Sequence, residues 1–166
     1  LPEEHLVTNL PLFDDDEDDN NNLIHYAGLL PASSNENKYL FYWYFLADTT
    51  TNTVEIDDND IPLVIWLNGG PGCSSMDGLF LEHGPFEFVF DDDTWKLSLR
   101  HNGTSWHKSP AYIVYLDQPV GTGLSFTTDR NYPKNDEEIN IDFYYWLQQF
   151  LRLHSNTLLT EDKTSM

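Results

Sequence analysis

An unbroken apolar run, Pro62-Leu63-Val64-Ile65-Trp66-Leu67, passes without a spacer into Asn68-Gly69-Gly70-Pro71-Gly72. A strand with one wet face alternates apolar and polar residues. A run without alternation suits a strand buried on both faces, as in a parallel sheet. A second run of this kind, Ala111-Tyr112-Ile113-Val114-Tyr115-Leu116, ends in Asp117-Gln118-Pro119 and a glycine-rich turn. Two such strands, each ending in a glycine-rich loop, predict an α/β sheet, mixed or mostly parallel. Its site is expected at the strand C-termini.

The flanking segments fit that frame. Tyr39-Leu40-Phe41-Tyr42-Trp43-Tyr44-Phe45 is apolar and aromatic throughout and reads as a further strand. Residues 48–60 are mainly Thr, Asn and Asp and read as a solvated hairpin loop. Asn135 is placed to cap a helix, with Glu138 three residues on to complete a capping box. Ile139, Phe143, Trp146, Leu147, Phe150 and Leu151 then recur at helical spacing as one apolar stripe, which is a core face rather than a ligand site. Residues 1–22 read as an acidic, disordered arm, because Asp14-Asp15-Asp16-Glu17-Asp18-Asp19 is a block of like charge that repels itself. Residues 23–166 read as the folded part.

Charge narrows the partners. The formal net charge is -20, from 28 acidic and 8 basic side chains. Nucleic acid and anionic membrane surfaces are disfavoured, a cationic ligand is attracted, and solubility alone also accounts for the acidity. No apolar run reaches the roughly 18 residues a membrane-spanning helix needs. The chain begins at Leu1, and its first residues show no signal-peptide pattern. Cys73 is the only cysteine, so it is either a buried free thiol or half of a bridge to a cysteine outside the chain. No His/Cys cluster has metal-ligand spacing, and no cofactor motif is present: Gly121-Thr122-Gly123 lacks the rest of a dinucleotide or phosphate-loop pattern. Asn102-Gly103-Thr104 fits the N-glycosylation pattern, which counts only in a secretory compartment.

The chemistry concentrates at residues 66–75. Three glycines in the four positions 69–72 permit positive φ and close backbone approach to a ligand. A strand turning into such a loop can aim peptide N–H groups at a developing negative charge, the oxyanion-hole arrangement. A bare Gly-Gly-Pro-Gly is better explained by a tight strand-to-helix turn with no ligand. The longer string decides between them. Trp66-Leu67-Asn68-Gly69-Gly70-Pro71-Gly72-Cys73-Ser74-Ser75, continued by Gly78-Leu79-Phe80-Leu81-Glu82-His83-Gly84-Pro85, resembles the first signature of the serine carboxypeptidases. Leu116 to Ser125 resembles their second signature, with Leu124 where the family more often has Phe. Asn102 to Trp106 resembles their Asn-…-Ser-Trp stretch, and the whole resemblance spans about residues 23–160.

This resemblance implies the N-terminal part of an α/β-hydrolase fold and a set of roles. The Gly70 N–H would be one oxyanion donor. The Asn68 side chain and the Gly69 N–H would hold the carboxylate of a peptide C-terminus, with Trp66 supporting them. Glu82 would share a proton with that carboxylate, donating a hydrogen bond instead of repelling it. Cys73 would pair with a downstream cysteine that the chain lacks. Asp77, in Ser75-Met76-Asp77-Gly78, resembles the stretch of fungal pheromone-processing carboxypeptidases, which trim C-terminal Lys and Arg. An acid there would attract such residues; the plainer reading is an exposed helix acid. The expected compartment is the secretory pathway or the exterior.

The family's nucleophile sits in a Gly-x-Ser-x-Gly elbow, and no such motif occurs in the 166 residues. The triad order Ser, Asp, His then places all three members beyond the chain. A makeshift triad of Ser74 or Ser125 with Asp117 and His83, His107 or His154 has no spacing to support it. The chain is therefore expected to be a carboxypeptidase portion without its own triad. The alternatives are a truncated non-catalytic pseudo-enzyme and an acidic interaction protein.

Overall fold

A computed structural model of the chain describes residues 2–12, 23–47 and 61–158. The acidic run 14–19, the loop 48–60 and the polar end 160–166 lie outside the described residues. Among the described residues, seven strands run in chain order as β1 (His25–Pro31), β2 (Lys38–Phe45), β3 (Leu63–Trp66), β4 (Phe86–Asp91), β5 (Lys96–His101), β6 (Tyr112–Leu116) and β7 (Phe126–Thr127). Helix α1 (Asp136–Leu153) and the single turn α2 (Ser155–Leu158) follow.

The main sheet has the order β1-β2-β6-β3, with β7 added against β2. Only β3 and β6 are parallel; β1–β2, β2–β6 and β2–β7 are antiparallel. The sheet is therefore mixed, as one of the two expected forms had it, and the other, a mostly parallel sheet, is corrected. The reason is local. β1 and β2 are joined by a short turn, closed by Ala32 N–H to Lys38 O at 2.8 Å, and a short connection forces antiparallel pairing. Residues 67–111 separate the end of β3 from the start of β6, and that stretch makes the crossover a parallel pair requires. β3 is also only half-buried along its length, because it lies at the edge of the described sheet.

The aromatic run of β2 divides by strand alternation. Leu40, Tyr42 and Tyr44 pack with Val114, Leu116, Trp146 and Phe150 beneath α1. Phe45 packs on the other face with Ile113, Tyr115, Leu79, Phe86 and Leu99, beneath the β4–β5 hairpin. Both faces being covered explains the absence of polar alternation in β2 and β6. The helix begins as its sequence predicts: Asn135 Oδ1 accepts from Glu138 N–H at 2.9 Å. The return bond of Glu138 goes one residue further back, to Lys134 N–H at 3.0 Å. Trp146 and Phe150 are buried, whereas Leu151 of the expected stripe is exposed.

Part of the expected arm packs on the domain. Val7 N–H donates to His25 O at 3.0 Å, Leu6 bridges to Tyr26, and His5 Nδ1 meets Tyr42 OH at 2.8 Å.

Candidate functional site

Trp66 lies beside Tyr115 in the parallel β3–β6 pair, so the loops leaving both strands emerge at one edge. That edge is where an α/β sheet places its ligand site. In the first loop Gly70 has φ +128° and Gly72 +102°. The turn is closed by Cys73 N–H to Gly69 O at 3.3 Å, and both Gly69 and Gly70 are exposed. Cys73 is exposed as well, so the reading of a buried thiol is corrected.

Trp66 and Asn68 are brought together. The indole Nε1–H donates to Asn68 Oδ1 at 2.5 Å. With its oxygen held, the amide has its N–H donors left to offer a ligand. Gly78 makes room for the pair: a Cβ there would lie 2.5 Å from Trp66 Nε1 and 2.9 Å from Asn68 Oδ1. Trp66 is itself wedged. His83 packs edge-on against it at 4.3 Å, Trp106 stacks on His83 at 4.0 Å, and His83 Nδ1 meets Tyr115 OH at 3.0 Å. Burial holds the His83 imidazole below its ordinary range, partly opposed by the charge of Glu82. Burial pushes the Tyr115 phenol up, and Glu82 adds to that. Glu82 ends the short helical turn Gly78–Glu82, exposed, and Asp77 precedes that turn, also exposed.

The second loop is tied to the first through Asp117, which is fully buried. Its Oδ1 accepts from Ser74 Oγ–H and Ser75 N–H, each at 2.8 Å, and its Oδ2 accepts from Leu124 N–H at 2.9 Å. Gly123 leaves space for the carboxylate, since a Cβ there would fall 2.1 Å from Oδ2. Ser75 Oγ–H donates to Leu116 O at 2.6 Å and accepts from Asn68 N–H at 3.1 Å. Sequence reasoning had Asp117 only as a member of a makeshift triad. The available signal was an acid closing an otherwise apolar strand. The histidines of that triad are engaged elsewhere: His83 with Tyr115, His107 with Ser105, and His154 with Tyr42.

Asn102 is buried, and its Nδ2–H donates to Gly84 O at 3.0 Å while its Oδ1 accepts from Thr104 N–H and Oγ1–H, each at 3.0 Å. The amide of the glycosylation motif is thus turned into the fold, bracketing two loops. Among the described residues there is no His/Cys/Asp/Glu group suited to a metal ion, and no helix long and apolar enough to cross a membrane.

The sequence model of the family described as "Serine carboxypeptidase" matches residues 16–161. The chain belongs to the serine carboxypeptidase family. Among serine carboxypeptidases it is 49% identical over 106 residues to serine carboxypeptidase S10 family member 2 of Dictyostelium discoideum, covering 63% of this chain and 18% of that protein. It is 46% identical over 106 residues to the pheromone-processing carboxypeptidase KEX1 of Phytophthora infestans, covering 64% and 17%. It is 43% identical over 97 residues to the lysosomal protective protein of Mus musculus, covering 58% and 19%. The chain therefore spans about a fifth or less of the length of these curated relatives. Membership also implies an α/β-hydrolase fold, with which the mixed sheet agrees.

Proposed function

We propose that this chain supplies part of the oxyanion hole and the C-terminal carboxylate clamp of a serine-type carboxypeptidase acting in the secretory pathway. The Gly70 N–H faces the carbonyl oxygen of the scissile bond as negative charge develops there. The Asn68 amide and the Gly69 N–H hold the substrate's terminal carboxylate, and Trp66 holds Asn68. Glu82 joins that recognition by sharing a proton with the substrate's carboxylate. Asp77 favours a leaving residue with a cationic side chain, Lys or Arg. The Ser nucleophile, His base and Asp orienter come from sequence outside these 166 residues.

One observation carries this reading: the glycine loop stands exposed at the C-terminal edge of the parallel strand pair, with its internal bond donated by Cys73 rather than by Gly70. Peptide binding followed by amide chemical shifts tests it. A peptide ending in Arg with a free carboxylate shifts the Gly69 and Gly70 signals, and the same peptide as a C-terminal amide does not. Asp77→Asn lowers affinity for the Arg peptide more than for a matching peptide ending in Leu. Equal shifts with acid and amide would remove the carboxylate clamp. Equal losses for Arg and Leu would remove the basic preference alone.

A further inference from the structure

Asp117 has an environment unusual for an acid. It is fully buried, and among the described residues the hydrogen bonds to its carboxylate come from neutral donors: Ser74 Oγ–H, Ser75 N–H and Leu124 N–H. Burying a carboxylate is costly unless it is well hydrogen-bonded, so a buried acid held by neutral donors needs a geometric reason. The donors supply one. Two sit at the end of the glycine loop and the third in the loop after β6. The beginning of the glycine loop is held by the same footing, because Ser75 Oγ accepts from Asn68 N–H at 3.1 Å. Residues 68–75 thus form an arch whose two feet meet at Ser75, and Ser75 stands on Asp117 and on Leu116 O. The footing is stitched into the sheet. Asp117 N–H donates to Phe41 O at 2.9 Å, and Ser125 Oγ bridges Asp117 O and Phe41 N–H at 2.6 and 2.8 Å.

We infer that Asp117 is the positioning residue of the glycine loop, setting where Gly69 and Gly70 present their N–H groups to a ligand. Donors aimed at an oxyanion or carboxylate work only when held within about 0.5 Å of the productive place. The glycines at the crown of the arch have exposed backbones and cannot fix themselves. A carboxylate accepts from all three donors at once. An asparagine offers one oxygen, and its NH₂ would then face an N–H or O–H donor.

The functional half of this inference rests on the carboxylate-clamp reading, and the test separates the two. Amide hydrogen exchange is measured in this chain for wild type, Asp117→Asn and Ser74→Ala. The reporters are Asn68 and Cys73, whose N–H groups bond within the loop and not to Asp117. Trp146 and Phe150 in α1 are the reference. Asp117→Asn speeds exchange at Asn68 and Cys73 about tenfold or more over the helix reference, the scale of losing a bond to a charged buried acceptor. Ser74→Ala, which keeps the two backbone donors, gives a smaller effect of the same pattern and carries the test if Asp117→Asn does not fold. Unchanged exchange at both reporters, or an equal rise in α1, overturns the inference. In parallel, each variant is titrated with the Arg-terminated peptide as free acid and as amide. Selective loss of free-acid affinity at unchanged melting temperature supports positioning of the clamp. If wild type itself does not distinguish acid from amide, the clamp reading fails, and the exchange data still decide the role of Asp117.

Discussion

Trp66 Nε1 and Asn68 Oδ1 meet at 2.5 Å directly above the bare Cα of Gly78. Alanine in place of an interior helical glycine ordinarily stabilises by about 1 kcal/mol. Here the added methyl carbon would sit 2.5 Å from the indole nitrogen, so the pair must part or the turn must shift. Gly78→Ala is expected to destabilise by about 1–3 kcal/mol, the usual cost of overpacking. The Trp66 indole N–H resonance should move as its bond opens. A stabilised Gly78→Ala with an unmoved indole signal would show that the pair is not held by this contact.

Asn102 brackets Gly84 O and Thr104, and the side chain is buried. A glycan on Nδ2 would leave that nitrogen a single N–H and would need room that the buried side chain lacks. The chain produced in a secretory host is therefore expected to show no mass change on N-glycosidase treatment. Asn102→Ala should cost about 1–3 kcal/mol, since Gly84 O loses its partner. A glycosidase-sensitive mass and a neutral Asn102→Ala would together reverse this reading.

Lys38 Nζ lies 3.0 and 2.9 Å from the two oxygens of Asp142, with both side chains about nine-tenths buried at 11% and 7% exposure. The pair pins β2 to α1. Burial raises the Asp142 carboxyl out of its ordinary range, and the hydrogen bond and charge of Lys38 oppose that. Removing one partner strands the other, so Asp142→Asn is expected to cost about 3–5 kcal/mol in urea denaturation. Lys38→Met with Asp142→Leu should recover much of the loss, because an apolar pair of similar volume needs no solvation. A double variant as unstable as Asp142→Asn would count against the pair being replaceable.

The legible parts of this fold were those written in contiguous residues. β2, β3, β6, the start of α1 and the glycine loop each carry a local signature: an apolar run, a capping box, a glycine cluster. What escaped was set by distance in sequence. The antiparallel majority of the sheet comes from how β2 pairs with β1, β6 and β7, and no single segment carries a mark of its partner or direction. Asp117 reads as one acid among 28 until the loop at residues 74–75 is folded over it. His83 and Trp106, which wedge Trp66, are 23 positions apart, and no local pattern joins them. Residues 2–12 looked like part of a charged arm because the acidic block nearby dominated their composition. The anchoring contact of His5 is with Tyr42, 37 positions away.

Two histidines make stability depend on pH in a stated direction. His154 is fully buried among Tyr26, Tyr42, Tyr44 and Phe150, with Nε2 2.8 Å from Tyr42 OH. His25 accepts the Trp43 indole N–H on Nδ1 at 2.9 Å and lies against Phe45 and Phe86, so its protonation breaks that bond. Burial lowers each to about 4, with the neighbouring His5 lowering His154 further and His101 lowering His25. In the unfolded chain each returns to the ordinary value of 6.5. Between these values the unfolded chain binds more protons than the native one, so stability rises with pH across the window and is lost as pH falls from about 6.5 to about 4. Above pH 7 both states hold neutral imidazoles and this contribution is flat. Protonating the many carboxylates relieves self-repulsion over part of the same range and works the other way. The difference between wild type and variant isolates the histidines. His154→Gln and His25→Gln should each show a shallower fall in melting temperature from pH 6.5 to 4 than wild type, whatever their stability at pH 7.5. Parallel curves for wild type and both variants would mean that neither imidazole is kept neutral by the fold.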